Sequence, residues 1–351
     1  MIEVPGNGPV PARLMIVGES PGAEEEKALT PFVGPSGYLL DKMLSEAGMP
    51  RGMGFVTNVC RVRPPNNKIE KWIIHRLPKK KSLPLDFVPM RNKFVYAPVE
   101  EGWRKLQAEI EAVKPNVIVA FGNVAMWALT GKWGIQNWRG SELRGDWVDA
   151  PKVIPTYHPA AILRQWAWRA SAVADLKRAA RNLGSRQYER PAWVFEVAPS
   201  YIQVLRRLEG LWESLQTQTL TLSFDIETRA GHITCAGVAW SATEAICIPF
   251  TKAGSADGYW MEHEEIEVLW WLYKVLTHRN ARVIGQNLLY DCQYTARWWG
   301  FVPRVSFDTM IAWHTCFAEL PKKLDFQASL VCKSYCYWKN SARWGDLKED
   351  A

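Results

Sequence analysis

Long apolar runs, paired cysteines and a recognisable leader are missing from this 351-residue sequence. No stretch of 18 consecutive apolar residues occurs, so no membrane span is predicted. Residues 1–18 (MIEVPGNGPVPARLMIVG) have neither the basic start nor the apolar run of a signal peptide. The seven cysteines are scattered without paired spacing, which argues against a disulfide framework and favours a reducing, cytoplasmic location.

Positive charge is concentrated in the first half of the chain. Residues 1–184 hold 26 Lys and Arg against 17 Asp and Glu, a net charge of +9, whereas the remainder holds 17 against 19, a net charge of −2. A basic half predicts a polyanionic partner, most simply nucleic acid. Plain solubility is the alternative explanation.

Short apolar runs alternate with helical patterns over residues 13–183. Four strands are predicted, at residues 13–18, 54–59, 116–122 and 152–158. Four helices are predicted near residues 36–47, 101–113, 122–130 and 170–183. This alternation predicts an α/β domain whose parallel sheet is covered on both faces. Functional loops stand at the carboxyl ends of such strands, and the motifs GESPG, TNVCRVRPP and YHPAA fall there.

Residues 66–100 interrupt the alternation. The segment is rich in Lys and Pro and is interpreted as an insertion, either a basic loop that meets the DNA backbone or a solvated excursion. Residues 185–215 are interpreted as a linker and a helix. A second α/β domain is predicted over 216–351, and the first domain over 1–184.

Four side chains at the predicted strand ends suit a pocket for a flipped base. A carboxylate of GESPG and Phe32 of PFVG follow the first predicted strand, whereas Asn58 of TN and His158 of YHP lie at the ends of the second and the last. An aromatic ring stacks on a base, and an amide reads the edge of that base. An imidazole stabilises negative charge on a departing base, and a carboxylate positions water and supports a cationic sugar.

Residues 13–183 resemble a family 4 uracil-DNA glycosylase. The matching stretches are GESPGAEEE, PFVGPSGYLLDKML, TNVCRVRPPNNK, VIVAFGNVA, RGSEL and TYHPAAILR, in the order of that family. The resemblance implies an α/β/α sandwich around a four-stranded parallel sheet. It also implies hydrolysis of the N-glycosidic bond of deoxyuridine in DNA, which releases uracil and leaves an abasic site.

The resemblance assigns roles by position. Phe32 matches the residue that stacks on uracil, Asn58 the one that reads its edge, and His158 the one beside the leaving base. Glu19 and Glu25 match the acidic residues of the first motif, with Glu25 preferred for positioning water.

Four further residues are assigned to substrate binding. Ser20 and Gly22 lie in the first motif, and Leu163 and Arg164 lie in the segment that resembles the loop entering the duplex. Glu24 and Glu26 are expected to be solvated.

The chain departs from the family at its cysteines. Members of family 4 usually hold a four-iron, four-sulfur cluster through four Cys. Here no Cys precedes Cys60, Val62 stands where a third ligand is expected, and the next Cys is Cys235. We therefore expect no cluster, and we expect packing from the 66–100 insertion to take over its structural role.

A second constellation lies in FDIET and GQNLLYDCQY. Asp225 and Glu227 share one face of a predicted strand, and Asp291 follows in the next motif. The stretch over 220–340, with Asp308 in DTM, resembles the three-prime to five-prime exonuclease domain of A-family DNA polymerases. The resemblance implies a ribonuclease H-like fold and an Mg²⁺ or Mn²⁺ site at Asp225, Glu227 and Asp291.

A third exonuclease motif, Tyr or His followed four residues later by Asp, is not found. Asp346 and Asp350 lack the Tyr or His. We therefore interpret the chain as a phage-type glycosylase fused to an incomplete exonuclease domain. Two alternatives stay open: a first domain that binds uracil or DNA without cleavage, and an exonuclease completed by a separately encoded polymerase fragment. DNA is the expected partner, with no membrane.

Overall fold

The chain folds into two compact units. The computed structural model describes residues 1–76, 83–189, 191–252 and 257–339. The first unit comprises Met1–Glu189 and the described residues from Ala328 onward, and the second unit comprises Arg190–Gln327. The sequence indicated a linker and a helix over 185–215, outside both domains, and placed 328–339 in the second domain. In the structure, the helix that begins at Tyr201 belongs to the second unit, and the segment from Ala328 belongs to the first.

The first unit contains eight strands and seven α-helices among its residues up to Glu189 that the structure describes. The strands are β1 (Leu14–Gly18), β2 (Gly54–Asn58), β3 (Ile73–Ile74), β4 (Phe87–Met90), β5 (Lys93–Tyr96), β6 (Val117–Phe121), β7 (Leu143–Arg144) and β8 (Lys152–Thr156). The helices are α1 (Ala23–Ala28), α2 (Gly34–Glu46), α3 (Ala97–Val113), α4 (Gly122–Thr130), α5 (Ile135–Trp138), α6 (Pro159–Arg164) and α7 (Arg169–Arg181).

The main sheet of the first unit has the order β2-β1-β6-β8-β7. The first four strands are parallel, as predicted, and the two-residue β7 adds an antiparallel edge that the sequence did not predict. Alternate side chains of β1 enter opposite cores, Met15 and Val17 on one side and Leu14 and Ile16 on the other. Helices α3 and α4 cover the first face, and α2 and α7 cover the second. Strands buried on both faces are apolar throughout, which is why the sequence pattern located them.

The insertion over residues 66–100 forms structure of its own. Strands β3, β5 and β4 make a small antiparallel sheet. Ile73 and Val95 are buried in the core beside α3. The three consecutive Lys at 79–81 lie outside the described residues, so the basic-loop and solvated-excursion interpretations of this segment both stay predictions.

The second unit is a mixed α/β domain, as predicted. Its strands are β9 (Val194–Glu196), β10 (Leu220–Arg229), β11 (His232–Ala239), β12 (Glu244–Pro249), β13 (Ala281–Gly285) and β14 (Val305–Asp308). Its helices are α8 (Tyr201–Thr217), α9 (Glu262–Leu276), α10 (Leu288–Trp299), α11 (Thr309–Cys316) and α12 (Leu324–Val331), whose end from Ala328 belongs to the first unit.

The sheet of the second unit has the order β14-β13-β10-β11-β12-β9. Strand β11 runs antiparallel to its two neighbours, and β10, β13 and β14 are parallel to one another. This α/β architecture agrees with the ribonuclease H-like expectation. Leu222, Phe224 and Ile226 of β10 face a core shared with α8 and α9. Among the described residues, no helix combines the length and the apolar character needed to cross a membrane.

Candidate active site

A cavity of about 810 Å³ opens where β1, β6 and β8 end in the first unit. Several of the predicted residues line it together. They are Glu19, Ser20, Gly22, Glu25, Phe32, His158 and Arg164. The carboxyl ends of parallel strands meet at one edge of a sheet, so the topology brings together side chains that are up to 145 positions apart in sequence (Glu19 to Arg164).

Asn58 lies at the end of β2 beside Gly18 of β1. Its side chain is 2% exposed, and its Nδ2 has no hydrogen-bond partner among the described residues. A Cβ at Gly18 would stand 2.3 Å from Asn58 Oδ1 and 2.6 Å from the Phe32 ring. Only glycine therefore lets the amide and the ring approach each other over β1. A buried, unpaired amide N–H group carries a free-energy cost, which a bound acceptor would remove.

Phe32 forms the aromatic part of the cavity. Its ring is 2% exposed and stacks against His158 with the ring centroids 5.7 Å apart and the planes at 27°. The backbone of Phe32 has φ 55°, a left-handed conformation that costs a non-glycine residue about 1–3 kcal/mol. Surrounding contacts therefore have to hold this residue in place.

Glu25 and Arg51 supply those contacts. The Glu25 carboxylate accepts hydrogen bonds from the backbone N–H groups of Gly22 and Phe32. Arg51 donates to the carbonyl oxygen of Phe32 at 2.7 Å and to that of Pro31. Burial raises the pKa of Glu25, while these amides and Arg51 oppose the rise. Both oxygens of Glu25 are thus used in fixing the loop that carries the ring.

Glu19 is the second carboxylate of the cavity. Its Oε1 accepts a hydrogen bond of 3.1 Å from the backbone N–H of Val124, in the first turn of α4. Burial raises the pKa of Glu19 to about 7. A Cβ at Gly122, which has φ +91°, would stand 2.3 Å from the Glu19 carboxylate. Glycine at the start of α4 therefore makes room for a carboxylate at the positive end of a helix dipole.

His158 begins α6 and is held in a defined tautomer. Its Nδ1 accepts a hydrogen bond of 3.2 Å from the backbone N–H of Ala160. Burial, assisted by the charge of Arg164, lowers the pKa of His158 to about 4. The imidazole is therefore neutral at pH 7, and because Nδ1 accepts, Nε2 carries the proton.

An exposed segment follows at the rim. Leu163 and Trp166 are 46% and 60% exposed, and the Arg169 guanidinium lies 5.6 Å from the centroid of the Trp166 ring. Trp168 lines the cavity and stacks on Tyr157, with the centroids 4.4 Å apart. Leu163 does not line the cavity, in contrast to Arg164.

Sequence reasoning missed two residues that shape the cavity. Arg51 is 19 positions from Phe32, and Asn123 Oδ1 accepts from the N–H groups of Gly134 and Ile135 in the opposite wall. No local signal identifies either residue, because each acts on backbone that is distant in sequence. Glu24 pairs with Lys27, and Glu26 pairs with Arg63. Both carboxylates were expected to be solvated, and Glu24 also borders the cavity.

The described cysteines of the first unit do not fit an iron–sulfur cluster, which needs four thiolates. Cys60 is buried, and its thiol donates to the carbonyl oxygens of Val62 at 3.4 Å and Pro98 at 3.8 Å. Burial raises the pKa of that thiol to about 11. Val62 is buried in the core that includes Ile73 of the insertion.

The predicted metal ligands of the second unit differ from one another in burial. Asp225 and Glu227 lie on the exposed face of β10, whereas Asp291 is 3% exposed and accepts a hydrogen bond of 2.8 Å from the Ile226 N–H. Burial raises the pKa of Asp291, and the charges of Asp308 and Glu227 add to the rise.

Asp308 is occupied by backbone contacts in the same unit. Its carboxylate accepts hydrogen bonds from the N–H groups of Leu288 and Met310, at 2.7 and 2.8 Å. Within the described ranges, no group of three or more His, Cys, Asp and Glu side chains is arranged to hold a metal ion. These described residues therefore do not fit a metal site as they stand. Asp346 and Asp350 lie outside the described residues.

Comparison with known proteins gives a clear result for the first unit. Residues 5–180 match the family described as the uracil DNA glycosylase superfamily. A type-4 uracil-DNA glycosylase of Thermotoga maritima is 36% identical over 163 residues, which cover 46% of this chain and 71% of that protein. A DNA polymerase of Bacillus phage SP01 is 26% identical over 173 residues, 49% of this chain and 16% of that protein.

Comparison with solved structures finds RNase D of Escherichia coli, an exoribonuclease involved in structured RNA processing. The TM-score is 0.32 and the identity 12%, over 43% of this chain and 36% of that one. A likeness at this level assigns no function to this chain.

Proposed function

Because the chain belongs to the uracil-DNA glycosylase superfamily, we propose that its first unit hydrolyses the N-glycosidic bond of deoxyuridine in DNA. The observation that carries the proposal is the buried Asn58 amide beside the Phe32 ring, whose Nδ2 has no hydrogen-bond partner in the described part of the chain. The products are free uracil and an abasic site. DNA is the partner that this chemistry requires, in agreement with the basic first half of the chain.

Asn58 selects the base by complementarity. Uracil presents a carbonyl oxygen next to an N–H group, and an amide side chain offers a donor and an acceptor to match them. Cytosine presents an amino group next to an unprotonated ring nitrogen, so the same amide orientation would oppose donor to donor. A buried polar group left without a partner costs free energy, and this cost excludes cytosine.

Phe32 holds the plane of the base, and His158 stabilises its departure. Cleavage leaves negative charge on the departing uracil, and the Nε2–H group of neutral His158 donates a hydrogen bond to a uracil carbonyl oxygen that shares this charge. A neutral donor of this kind acts by electrostatic stabilisation without transferring its proton. The contact between His158 Nδ1 and the Ala160 N–H keeps the donor on the correct nitrogen.

Glu19 faces the sugar and the attacking water in this proposal. The sugar acquires the positive charge of an oxocarbenium ion in the transition state, and an ionised carboxylate stabilises that charge. Glu25 was preferred for water positioning on the sequence. Because both of its oxygens accept backbone N–H groups, we now assign Glu25 to fixing Phe32 and Glu19 to the cation and water. Ser20 and Gly22 line the same wall.

The exposed segment from Leu163 to Trp166 is proposed to contact the DNA around the flipped nucleotide. Leu163 fills the space left in the duplex, and Arg164 meets phosphate at the cavity mouth. Trp166 offers an exposed aromatic face for a neighbouring base, since stacking on aromatic side chains is a common mode of single-strand binding.

The second unit is proposed to lack nuclease activity of its own, because its carboxylates do not form a metal-binding group in the described part of the chain. Completion by a separately encoded polymerase fragment, with Mg²⁺ or Mn²⁺ bound, is the alternative. The scattered cysteines support a cytoplasmic location, that of the host if a phage encodes the chain.

The test is uracil release from an oligonucleotide that contains one deoxyuridine, assayed with EDTA present to silence metal nucleases. We expect alkali-labile cleavage by the wild type and a loss of about 100-fold or more in Asn58→Ala. Asn7→Ala is the matched control, because the Asn7 side chain is exposed. Tight binding to the uracil strand without base release would contradict hydrolysis and support the non-cleaving alternative.

A further inference from the structure

Residues 328–339, called the C-terminal strap below, pack on a pair of buried arginines in the first unit. Arg139 Nη1 donates to Ser329 Oγ at 2.7 Å. Arg178 donates to the carbonyl oxygens of Ser329 and Cys332, at 2.8 and 2.7 Å. Arg139 and Arg178 are 2% and 1% exposed, so the strap supplies hydrogen-bond acceptors that water does not.

The strap also binds the loop that carries the motif RGSEL. The Glu142 N–H donates to the Tyr335 carbonyl oxygen at 2.7 Å, and the Tyr337 N–H donates to Ser141 Oγ at 3.1 Å. The Tyr337 ring packs edge-on against Trp138, with the centroids 5.3 Å apart. Tyr335 and Tyr337 are both buried members of the core that covers one face of the main sheet.

A chain of polar contacts leads from the strap to the candidate active site. Arg139 pairs with Asp175 of α7 through two hydrogen bonds. Asp175 is 0% exposed and accepts a bond of 2.8 Å from Thr156 Oγ1. Thr156 ends β8 two residues before His158. The Gly140 N–H donates to the Pro155 carbonyl oxygen at 2.8 Å, which ties the same loop to β8.

We propose that the C-terminal strap is a positioning element of the glycosylase unit, which sets β8 and therefore His158 through Arg139, Asp175 and Thr156. The sequence assigned this segment to the exonuclease-like domain, and the family match ends at residue 180. Without the strap, two buried guanidinium groups lose acceptors, and a buried charge that has lost a partner strongly destabilises its surroundings. The segment 1–189 alone is therefore an incomplete glycosylase unit.

The first experiment uses the full chain and compares Thr156→Val with Thr156→Ser. Valine keeps the shape of the side chain and removes the hydroxyl that Asp175 accepts, whereas serine restores it. We expect kcat for uracil release to fall about 10-fold in Thr156→Val with KM unchanged, because a displaced His158 weakens a contact made only in the transition state. Thr156→Ser should recover most of the rate. Equal rates in the two variants would overturn the positioning chain.

The second experiment tests the strap itself in the full chain, with Tyr337→Ser against Tyr337→Phe. Phenylalanine keeps the ring on Trp138, and serine removes it. Hydrogen exchange followed by mass spectrometry should show faster exchange over residues 139–142 and 152–158 in Tyr337→Ser alone. Unchanged exchange in both variants would overturn the proposal.

Two shortened chains sharpen the test. A chain ending at Lys339 keeps the strap, and a chain ending at Gln327 lacks it. We expect loss of amide protection in β8 and α7 only in the shorter chain, with recovery on addition of a synthetic peptide of residues 328–339. Equal protection in both chains would overturn the proposal.

The inference rests on the proposed function only for the kinetic readout. If the full chain released no uracil, the glycosylase proposal would fail, whereas the exchange measurements would still decide whether the strap orders β8.

Discussion

Two pairs of motif carboxylates, one pair in each unit, lie in opposite environments. In the first unit, Glu19 and Glu25 lie in a cavity and accept hydrogen bonds from the backbone. In the second unit, Asp225 and Glu227 lie on the exposed face of a strand. Both pairs were found by the same kind of motif reading. The difference teaches that a motif supplies residue types, whereas the surrounding backbone decides whether they are desolvated and fixed.

Desolvation shifts the pKa values of two groups that line the cavity of the first unit. Burial raises the pKa of Glu19 to about 7 and lowers that of His158 to about 4. Groups with perturbed pKa values in a cleft are typical of functional sites. The cavity is thus lined both by a carboxylate with a pKa of about 7 and by a histidine that is neutral at pH 7.

The largest expected effect comes from replacing Asn58 by Asp. The carboxylate cannot donate to the uracil carbonyl, so uracil release should fall by about 100-fold or more. The same carboxylate accepts from the amino group of cytosine, so slow release of cytosine should appear. The measurement is release of each base from matched single-site oligonucleotides. Retained uracil release in this variant would remove Asn58 from base recognition.

Glu19→Gln is expected to remove the pH dependence of the reaction. With a pKa of about 7, Glu19 is protonated at pH 5 and ionised at pH 8. The wild-type kcat/KM should therefore rise about tenfold per pH unit below 7 and level off above it, because kcat/KM reports the pKa values of the free enzyme. His158, with a pKa of about 4, adds no limb between pH 5 and 9. A glutamine variant with the same acid limb would show that another group titrates.

Glu25→Gln should act on binding more than on chemistry. Glutamine presents one acceptor where Glu25 uses two, so the Phe32 loop loosens and stacking on the base weakens. Because stacking is made before and during cleavage, KM should rise about 10-fold with little change in kcat. Glu24→Gln, at a more exposed neighbour, is the control. A fall in kcat with KM unchanged would restore Glu25 to the role preferred on the sequence.

Trp166→Ala should have a smaller effect, confined to DNA contact. Loss of one stacked base costs about 1–3 kcal/mol, so binding should weaken for a strand with a normal flanking base. Replacing that base by an abasic spacer should make the variant and the wild type equal. Trp166→Phe is the control that keeps an aromatic face. A deficit that persists on the spacer strand would exclude stacking.

The smallest effect is expected in the second unit. The double variant Asp225→Asn and Glu227→Gln should release uracil at the wild-type rate. With Mg²⁺ added and EDTA omitted, neither protein should shorten a labelled single strand. Magnesium-dependent shortening by the wild type, lost in the double variant, would show that Asp225 and Glu227 support nuclease activity. The exposed carboxylates of the second unit would then be functional, as those of the first unit are proposed to be.

The sequence predicted the regular elements well because their signals are local. The four parallel strands of the first unit were found as short apolar runs, and each lies within two residues of its predicted bounds. The turn residues around Glu19, Asn58 and His158 followed from the same pattern, since functional loops stand at the carboxyl ends of such strands. The contacts of Arg51 and Asn123 were not predicted, because both act on backbone distant in sequence.

The sequence by itself determined the strands of the first unit, the order of its motifs and the residue types at their ends. Only the tertiary structure decided three features. Both oxygens of Glu25 accept backbone N–H groups, His158 holds one tautomer, and the strap belongs to the first unit. The physical reason is the distance along the sequence over which each kind of interaction acts. Periodicity and turn chemistry act over a few residues, whereas burial and hydrogen-bond partners depend on segments up to 196 positions apart, as for Ser141 and Tyr337.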